Sequence, residues 1–339
     1  MLPLFLFPCK YFVESSVIPS IMELMKNIDE AKNMLDSWIQ ALSSVLIGKE
    51  LPIRLIIASF LARGHVLLED VPGTGKTLLS KAMAKSLGLA FSRIQFTPDL
   101  LPTDITGLSL FDRSQQLFQF RPGPLFSDII LADEVNRATP RTQSAMLEAM
   151  AEGQVTVDGS THQLSPFFFV MATENPIDYE GTFPLPEAQL DRFLIRLDLG
   201  YPDEEAEKAI LCAYQTQNPL HKLQTLYKAE DLTALLRMVD TVTVSPEVQS
   251  YVVRLARASR VHPRVVLGVS PRGSLALQRL AMSWAFLQGR SFVLPDDVKA
   301  LALPALSHRL LLSTEARIKR EKPIDILREL LDQVAVVSA

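Results

Sequence analysis

A glycine-rich stretch, Val71-Pro72-Gly73-Thr74-Gly75-Lys76-Thr77, follows a short apolar run, His65–Leu68, and opens a segment of helical periodicity, Lys76–Leu87. No other feature limits so strongly what this chain can fold into. Between a strand and a helix, such a loop turns its backbone N–H groups inward to cradle phosphate oxygens, and the helix N-terminus adds its positive dipole. The pattern predicts that Pro72, Gly73, Thr74 and Gly75 surround the phosphates of a bound ATP. Lys76 supplies a full charge to the β- and γ-phosphates, and the Thr77 hydroxyl is positioned to ligate Mg2+. Asp70 stands where the strict pattern has its first glycine. That position opens the loop without touching phosphate.

The surrounding pattern agrees. His65–Leu68, Phe91–Phe96, Ile129–Ala132, Phe167–Ala172 and Phe193–Leu197 are apolar runs too short for core helices, so they read as buried strands. Helical stretches such as Lys76–Leu87 and Arg141–Glu152 lie between several of them. Alternation of this kind predicts an α/β fold, a three-layer sandwich with a mainly parallel sheet covered on both faces. Two helical stretches precede it: one over 28–46, ending in Ile47-Gly48-Lys49, and one through Ile53–Leu61. Leu108–Phe118 reads as a small hairpin or a strand–turn–helix excursion. Gln154–Leu164, with Asp158-Gly159 at its turn, reads as a β-hairpin. Past Tyr201-Pro202 the strand signals fade into helical periodicity. The expected division is an extension over 1–27, an α/β core over 28–202 and a small all-α lid over 203–339.

Ile129-Ile130-Leu131-Ala132-Asp133-Glu134 is a hydrophobic strand that ends in two acids. At the C-terminal edge of a parallel sheet Asp133 can hold Mg2+ through its water shell. Glu134 can polarise the water that attacks the γ-phosphate. Together with the glycine-rich loop, these acids predict ATP hydrolysis.

Composition excludes several classes. Net charge over the 339 residues is −4, which gives no electrostatic footprint for nucleic acid. Cys9 and Cys212 are the two cysteines, without metal-ligand spacing, and they point to a reducing compartment. No apolar run is long enough to span a bilayer. The opening MLPLFLFPC lacks the basic start and the length of a signal peptide. Residues 1–20 are therefore expected to be a disordered or mis-started extension, with Met22 a candidate start, and the protein to be cytoplasmic.

Three further segments narrow the class. The run Thr173-Glu174-Asn175-Pro176 follows a strand, Leu185-Pro186-Glu187-Ala188-Gln189-Leu190-Asp191-Arg192-Phe193 precedes one, and Val269-Ser270-Pro271-Arg272-Gly273 opens a helix. With the phosphate loop and the acidic strand end, these resemble the AAA+ ATPases. Finer stretches resemble the MoxR family within the helix-2-insert group. They are His65-Val66-Leu67-Leu68-Glu69-Asp70-Val71-Pro72-Gly73, Gly123-Pro124-Leu125-Phe126, Asp133-Glu134-Val135-Asn136-Arg137-Ala138 and Ala172-Thr173-Glu174-Asn175-Pro176. The resemblance runs from about Ile47 to the C-terminus.

The resemblance implies roles. Asn175 becomes the polar sensor that orients the attacking water. Arg192 becomes the arginine finger for the ATP of a neighbouring subunit, and Arg272 a second sensor on the γ-phosphate in cis. Gly48 joins the nucleotide-binding residues, while Arg137 and Arg141 become candidates for the subunit interface. Leu108–Phe118 and Gln154–Leu164 become inserts that face the pore of a hexameric ring. The resemblance also implies chaperone-like maturation of client proteins, including cofactor or metal insertion. It implies a partner with a von Willebrand factor A domain as well.

Other readings stay open. A metal-chelatase motor subunit shares the same architecture. A nucleic-acid-directed motor would want a basic pore hairpin, whereas Gln154–Leu164 has Asp158 and His162 but no Lys or Arg. A non-hydrolysing switch would have no evident need for Asp133, Glu134, Asn175 and Arg192 together.

Overall fold

The computed structural model describes residues 21–71, 73–175 and 182–336; the expectations for Pro72, Pro176 and residues 1–20 lie outside these. Helix α1 (Ile21–Val45) and α2 (Glu50–Leu61) precede strand β1 (His65–Glu69) and α3 (Lys76–Leu87). Next come β2 (Phe91–Gln95), the single turn α4 (Pro102–Thr106), and a hairpin of β3 (Gly107–Asp112) and β4 (Leu117–Pro122). Strand β5 (Ile129–Asp133) and α5 (Pro140–Glu152) lead to a second hairpin, β6 (Gln154–Val157) with β7 (Ser160–Gln163). Strand β8 (Phe169–Glu174), the short α6 (Glu187–Leu190) and β9 (Phe193–Leu197) complete the first half.

The central sheet has the order β2-β5-β8-β1-β9, and every neighbouring pair is parallel. Its inner strands are buried along almost their whole length, which is why they read as continuous apolar runs rather than alternating ones. The β6–β7 turn is Asp158-Gly159, both with positive φ, as a two-residue primed turn requires. The Phe120 ring of the first hairpin stacks on His162 of the second at 3.9 Å, so the two hairpins are tied together.

Two boundaries differ from expectation. The helix expected over 28–46 begins earlier, at Ile21; no proline or glycine interrupts the chain between Ile21 and Gly48. The strand expected from Phe167 begins at Phe169 instead. Ser165 ends the preceding segment in a turn, its carbonyl accepting from Phe168 N and its hydroxyl from Phe167 N.

The second half is mainly helical. It comprises α7 (Glu204–Thr216), α8 (Pro219–Lys222), α9 (Ala229–Asp240), α10 (Pro246–Val261), α11 (Pro271–Leu287), α12 (Pro295–Leu306), α13 (Thr314–Ile318) and α14 (Pro323–Gln333). A short antiparallel pair, β10 (Val265–Leu267) with β11 (Leu311–Leu312), supplements these helices.

Two apolar clusters form the core. One lies on the α5 face of the sheet and includes Leu67, Ile130, Val170, Leu147 and Phe193. The other runs from α1 and α2 across the opposite face of the sheet and on into α9 to α14. Leu35, Trp38, Leu42 and Val45 recur on one face of α1 and are buried in this cluster. The Trp38 indole N–H donates to Ser86 Oγ at 2.9 Å, which fixes α1 on α3.

Candidate nucleotide site and its opposite edge

Strand β1 delivers the chain to the phosphate loop, and α3 carries it away. Gly75 sits in the left-handed region at φ +96°, and a Cβ there would come within 2.7 Å of Leu46 Cδ1. Only glycine suits that place. Lys76 Nζ donates to the carbonyls of Asp70 (2.9 Å) and Val71 (3.0 Å), so its charge is held inside the curl of the loop. Thr74 is buried, with its hydroxyl 3.4 Å from Val71 O, and Thr77 follows Lys76 in the first turn of α3. Gly48 lies close by at φ +77°, packed so tightly that a Cβ would meet that of Ala206 at 2.6 Å. Lys49 Nζ donates to Tyr201 O at 2.7 Å. The loop after α1 thus meets both the phosphate loop and the start of α7.

The acidic strand end lies two strands away, with β8 between it and β1. Thr173 Oγ1 donates to Asp133 Oδ1 at 2.7 Å and accepts from Glu134 N at 2.8 Å. Arg93 holds the other Asp133 oxygen through Nη2 at 2.7 Å and Nε at 3.1 Å. Glu134 adopts a left-handed backbone conformation, and its Oε2 accepts from Gln95 Nε2 at 2.8 Å, with Arg137 Nε 3.3 Å away. Asn175 directly follows β8 beside this group, and its carbonyl is 3.5 Å from Asn136 Nδ2. Thr173, Arg93 and Gln95 were not singled out from the sequence. A signal was present: Arg93 and Gln95 are polar residues at alternate positions of β2, so they share one face at its C-terminal end.

The donor set suits Mg2+ bound together with phosphate oxygens. Asp133 and Thr77 offer hard oxygen ligands, and Mg2+ in phosphate sites takes one or two side chains and keeps waters elsewhere. Among the described residues no group of three or more His, Cys, Asp and Glu could cage a metal alone. Burial pushes the Glu174 carboxyl up to about 7, at the residue directly before Asn175.

The two remaining arginines lie at the other end of the sheet. Strands β1 and β9 are parallel, and His65 pairs with Phe193. Arg192 therefore sits where β9 starts, while the phosphate loop follows the end of β1. The strand alone separates those ends by roughly 13–15 Å. Arg192 donates to Leu147 O and borders a polar cleft lined by Ser144, Glu148, Glu152, Gln154 and Gln189. Partial burial and the positive charge of Arg272 lower its pKa.

Arg272 belongs to the same edge. Its charge acts on His65, Arg192 and Arg309, all at the starting end of β1 and β9. The Ser270 hydroxyl that caps α11 also donates to Asp191 Oδ2 at 3.0 Å, which anchors the helix start to that edge. The start of α11, and Arg272 with it, therefore lies beside the start of β9, where Arg192 stands. His308 is buried beside this edge, with Nε2 3.1 Å from Phe193 O. Burial and the adjoining Arg309 hold its pKa well below the usual value, so it is neutral.

A parallel sheet with a phosphate loop at its C-terminal edge, an acid pair at the end of β5 two strands away, and a helical lid defines a P-loop ATPase of the AAA+ class. Residues 65–195 match the ATPase family associated with various cellular activities (AAA), and residues 257–330 match the AAA lid domain. The chain is 38% identical over 311 residues to chaperone MoxR1 of Mycobacterium tuberculosis, covering 89% of this chain and 82% of the relative. It is 33% identical to protein MoxR of Paracoccus denitrificans, covering 85% and 91%. An uncharacterized protein, YeaC of Bacillus subtilis, is 48% identical, with 89% and 95% covered. A solved structure of a Cytophaga hutchinsonii protein described as an ATPase superposes with a TM-score of 0.87 at 35% identity, covering 92% of this chain and 98% of that one. The chain belongs to the MoxR family of AAA+ ATPases. Among the described residues no helix is long and apolar enough to cross a membrane.

Proposed function

We propose that the chain hydrolyses ATP at sites shared between neighbouring copies in a hexameric ring, and that the ring remodels or matures client proteins. One observation carries this reading: Arg192 and the helix start that bears Arg272 both lie at the edge of the sheet opposite Lys76. Two positive charges at one edge repel each other, and an anion brought to that edge relieves the repulsion. The phosphate of a neighbour's ATP is such an anion. The division into a core over 28–202 and a lid over 203–339 goes with this reading.

In the proposed site Gly73, Thr74, Gly75 and Lys76 bind the phosphates, with Pro72 and Gly48 adjoining the nucleotide. Thr77 and Asp133 hold Mg2+, which when bound neutralises phosphate charge. Glu134 takes up the proton of the attacking water, and Asn175 orients that water. Thr173 aligns Asp133 and Glu134 through its one hydroxyl. The neighbour's Arg192 and Arg272 bear on the charge that spreads over the γ-phosphate oxygens in the transition state.

A remodelling role is supported by the first hairpin, whose Leu117 and Phe118 are 62% and 73% exposed, and by the chaperone name of the Mycobacterium relative. Exposed apolar side chains in such density mark a surface that handles another protein. Client maturation by cofactor or metal insertion, a partner with a von Willebrand factor A domain and a cytoplasmic setting complete the proposal. The test is ATPase activity against protein concentration, with light-scattering mass read in parallel. Specific activity should rise with assembly, and Arg192→Ala should assemble yet lose on the order of 10³-fold in turnover. A monomer that hydrolyses equally well, indifferent to Arg192→Ala, would end the shared-site reading.

A further inference from the structure

One lid residue grips the chain on both sides of Arg192. Arg309, between α12 and β11, is 7% exposed, and its guanidinium donates to Asp191 Oδ1 (2.6 Å), Asp191 O (3.2 Å), Phe193 O (2.6 Å), Leu194 O (3.1 Å) and Ala305 O. A guanidinium has five N–H donors in a fixed fork. Four of these five bonds end on residues 191–194, the residues that flank Arg192.

The Asp191 carboxylate is shared in turn. Its Oδ1 goes to Arg309 and its Oδ2 to Ser270 Oγ at 3.0 Å. Ser270 caps α11 by accepting from Gly273 N at 3.0 Å, and Arg272 is the second residue of that helix. A single carboxylate therefore joins the segment that carries Arg192, the helix that carries Arg272, and Arg309. Three arginines crowd this edge, and Asp191 is the acid bonded to it in direct ion pairing.

We infer that Asp191, Arg309 and Ser270 form a latch that presents Arg192 and Arg272 together to the adjoining subunit's nucleotide, with Asp191 and Arg309 acting as positioning residues. The inference rests on the shared-site reading above. On this basis the lid sets the finger: a movement of α11 against the core shifts both arginines at once, because Asp191 holds both ends.

The test uses mixed full-length subunits. Asp191→Asn keeps the size of the side chain and weakens the ion pair; Arg309→Lys keeps the charge and loses the fork. Each variant alone should bind a fluorescent ATP analogue within about twofold of wild type, since its own phosphate loop is intact. Each should assemble with wild-type mass and turn over roughly tenfold or more slowly. Mixed with Glu134→Gln subunits, which carry a sound latch but no base, each should regain turnover, because its intact site then receives arginines from its neighbour. Arg192→Ala mixed with Glu134→Gln is the control. If the control fails to recover, the shared-site reading itself is wrong. If the control recovers but Asp191→Asn and Arg309→Lys do not, the latch is refuted and the defect lies within the variant's own site. Wild-type turnover in Asp191→Asn, or failure of both variants to assemble, also overturns the inference.

Discussion

Glu174 holds its proton near neutral pH because burial raises its pKa from 4.5 to about 7. The folded chain therefore binds a proton that the unfolded chain releases across that interval. Stability from this group is full below about pH 4.5 and is lost as pH rises towards 7, beyond which the loss is constant. Glu174→Gln stays neutral throughout and should raise the thermal midpoint at pH 8, by about 1–3 kcal/mol in stability. The gain should shrink at pH 5.5; equal gains at both values would assign the effect to something other than the proton. Thr173→Val preserves shape and removes the hydroxyl between Asp133 and Glu134. We expect roughly tenfold slower turnover with unchanged ATP affinity, measured by steady-state kinetics beside nucleotide titration. At this scale the sequence disclosed Lys76, Asp133 and Glu134, because loop and strand end are contiguous in the chain. Thr173 and Arg93 were not legible, because each acts on Asp133 from another strand, about forty residues away in sequence.

Helix α1 is anchored by Trp38, which is fully buried, packs edge-on against Phe60 and Tyr227, and bonds Ser86. Trp38→Ala removes all of these contacts and should cost about 3–5 kcal/mol in chemical denaturation. A loss below 1 kcal/mol would mean that α1 is peripheral to the core. The β3–β4 hairpin behaves in the opposite way. Phe111 and Phe118 pack as a tilted ring pair at 5.2 Å but remain exposed, so Phe111→Ser with Phe118→Ser should lower binding of an apolar dye. The thermal midpoint and basal turnover should stay close to wild type. The β6–β7 hairpin was fully readable, because Asp158-Gly159 fixes both turn and register. The start of β8 was not. Phe167, Phe168 and Phe169 form an unbroken apolar run, and periodicity cannot tell which of them lies in a turn.

Core and lid are packed as one body. Ser283 of α11 donates to Ala58 O of α2 at 2.8 Å, and Tyr227 before α9 bonds Met34 O of α1. A single apolar cluster joins them, so heat should unfold the full chain in one transition, and a fragment of residues 28–202 should expose the buried face of α2 and aggregate. Two separate calorimetric peaks would contradict this. The order of the helical segments was legible from the sequence, but the edge of the core that receives them was not. That depends on Asp191, Ser270 and Arg309, which meet across 79 and 118 residues of chain. The edge at which Arg272 stands was not legible for the same reason.

The separation of Lys76 from Arg192 by the length of β1 has a geometric consequence on the shared-site reading. Contact between copies must run head to tail, one subunit's donor edge against the next one's acceptor edge. Two-fold pairing would bring like edges together and leave both sites incomplete. An open pair would hold one finished site and one unfinished, and a chain of n copies would hold n − 1. Only closure makes the number of working sites equal the number of subunits.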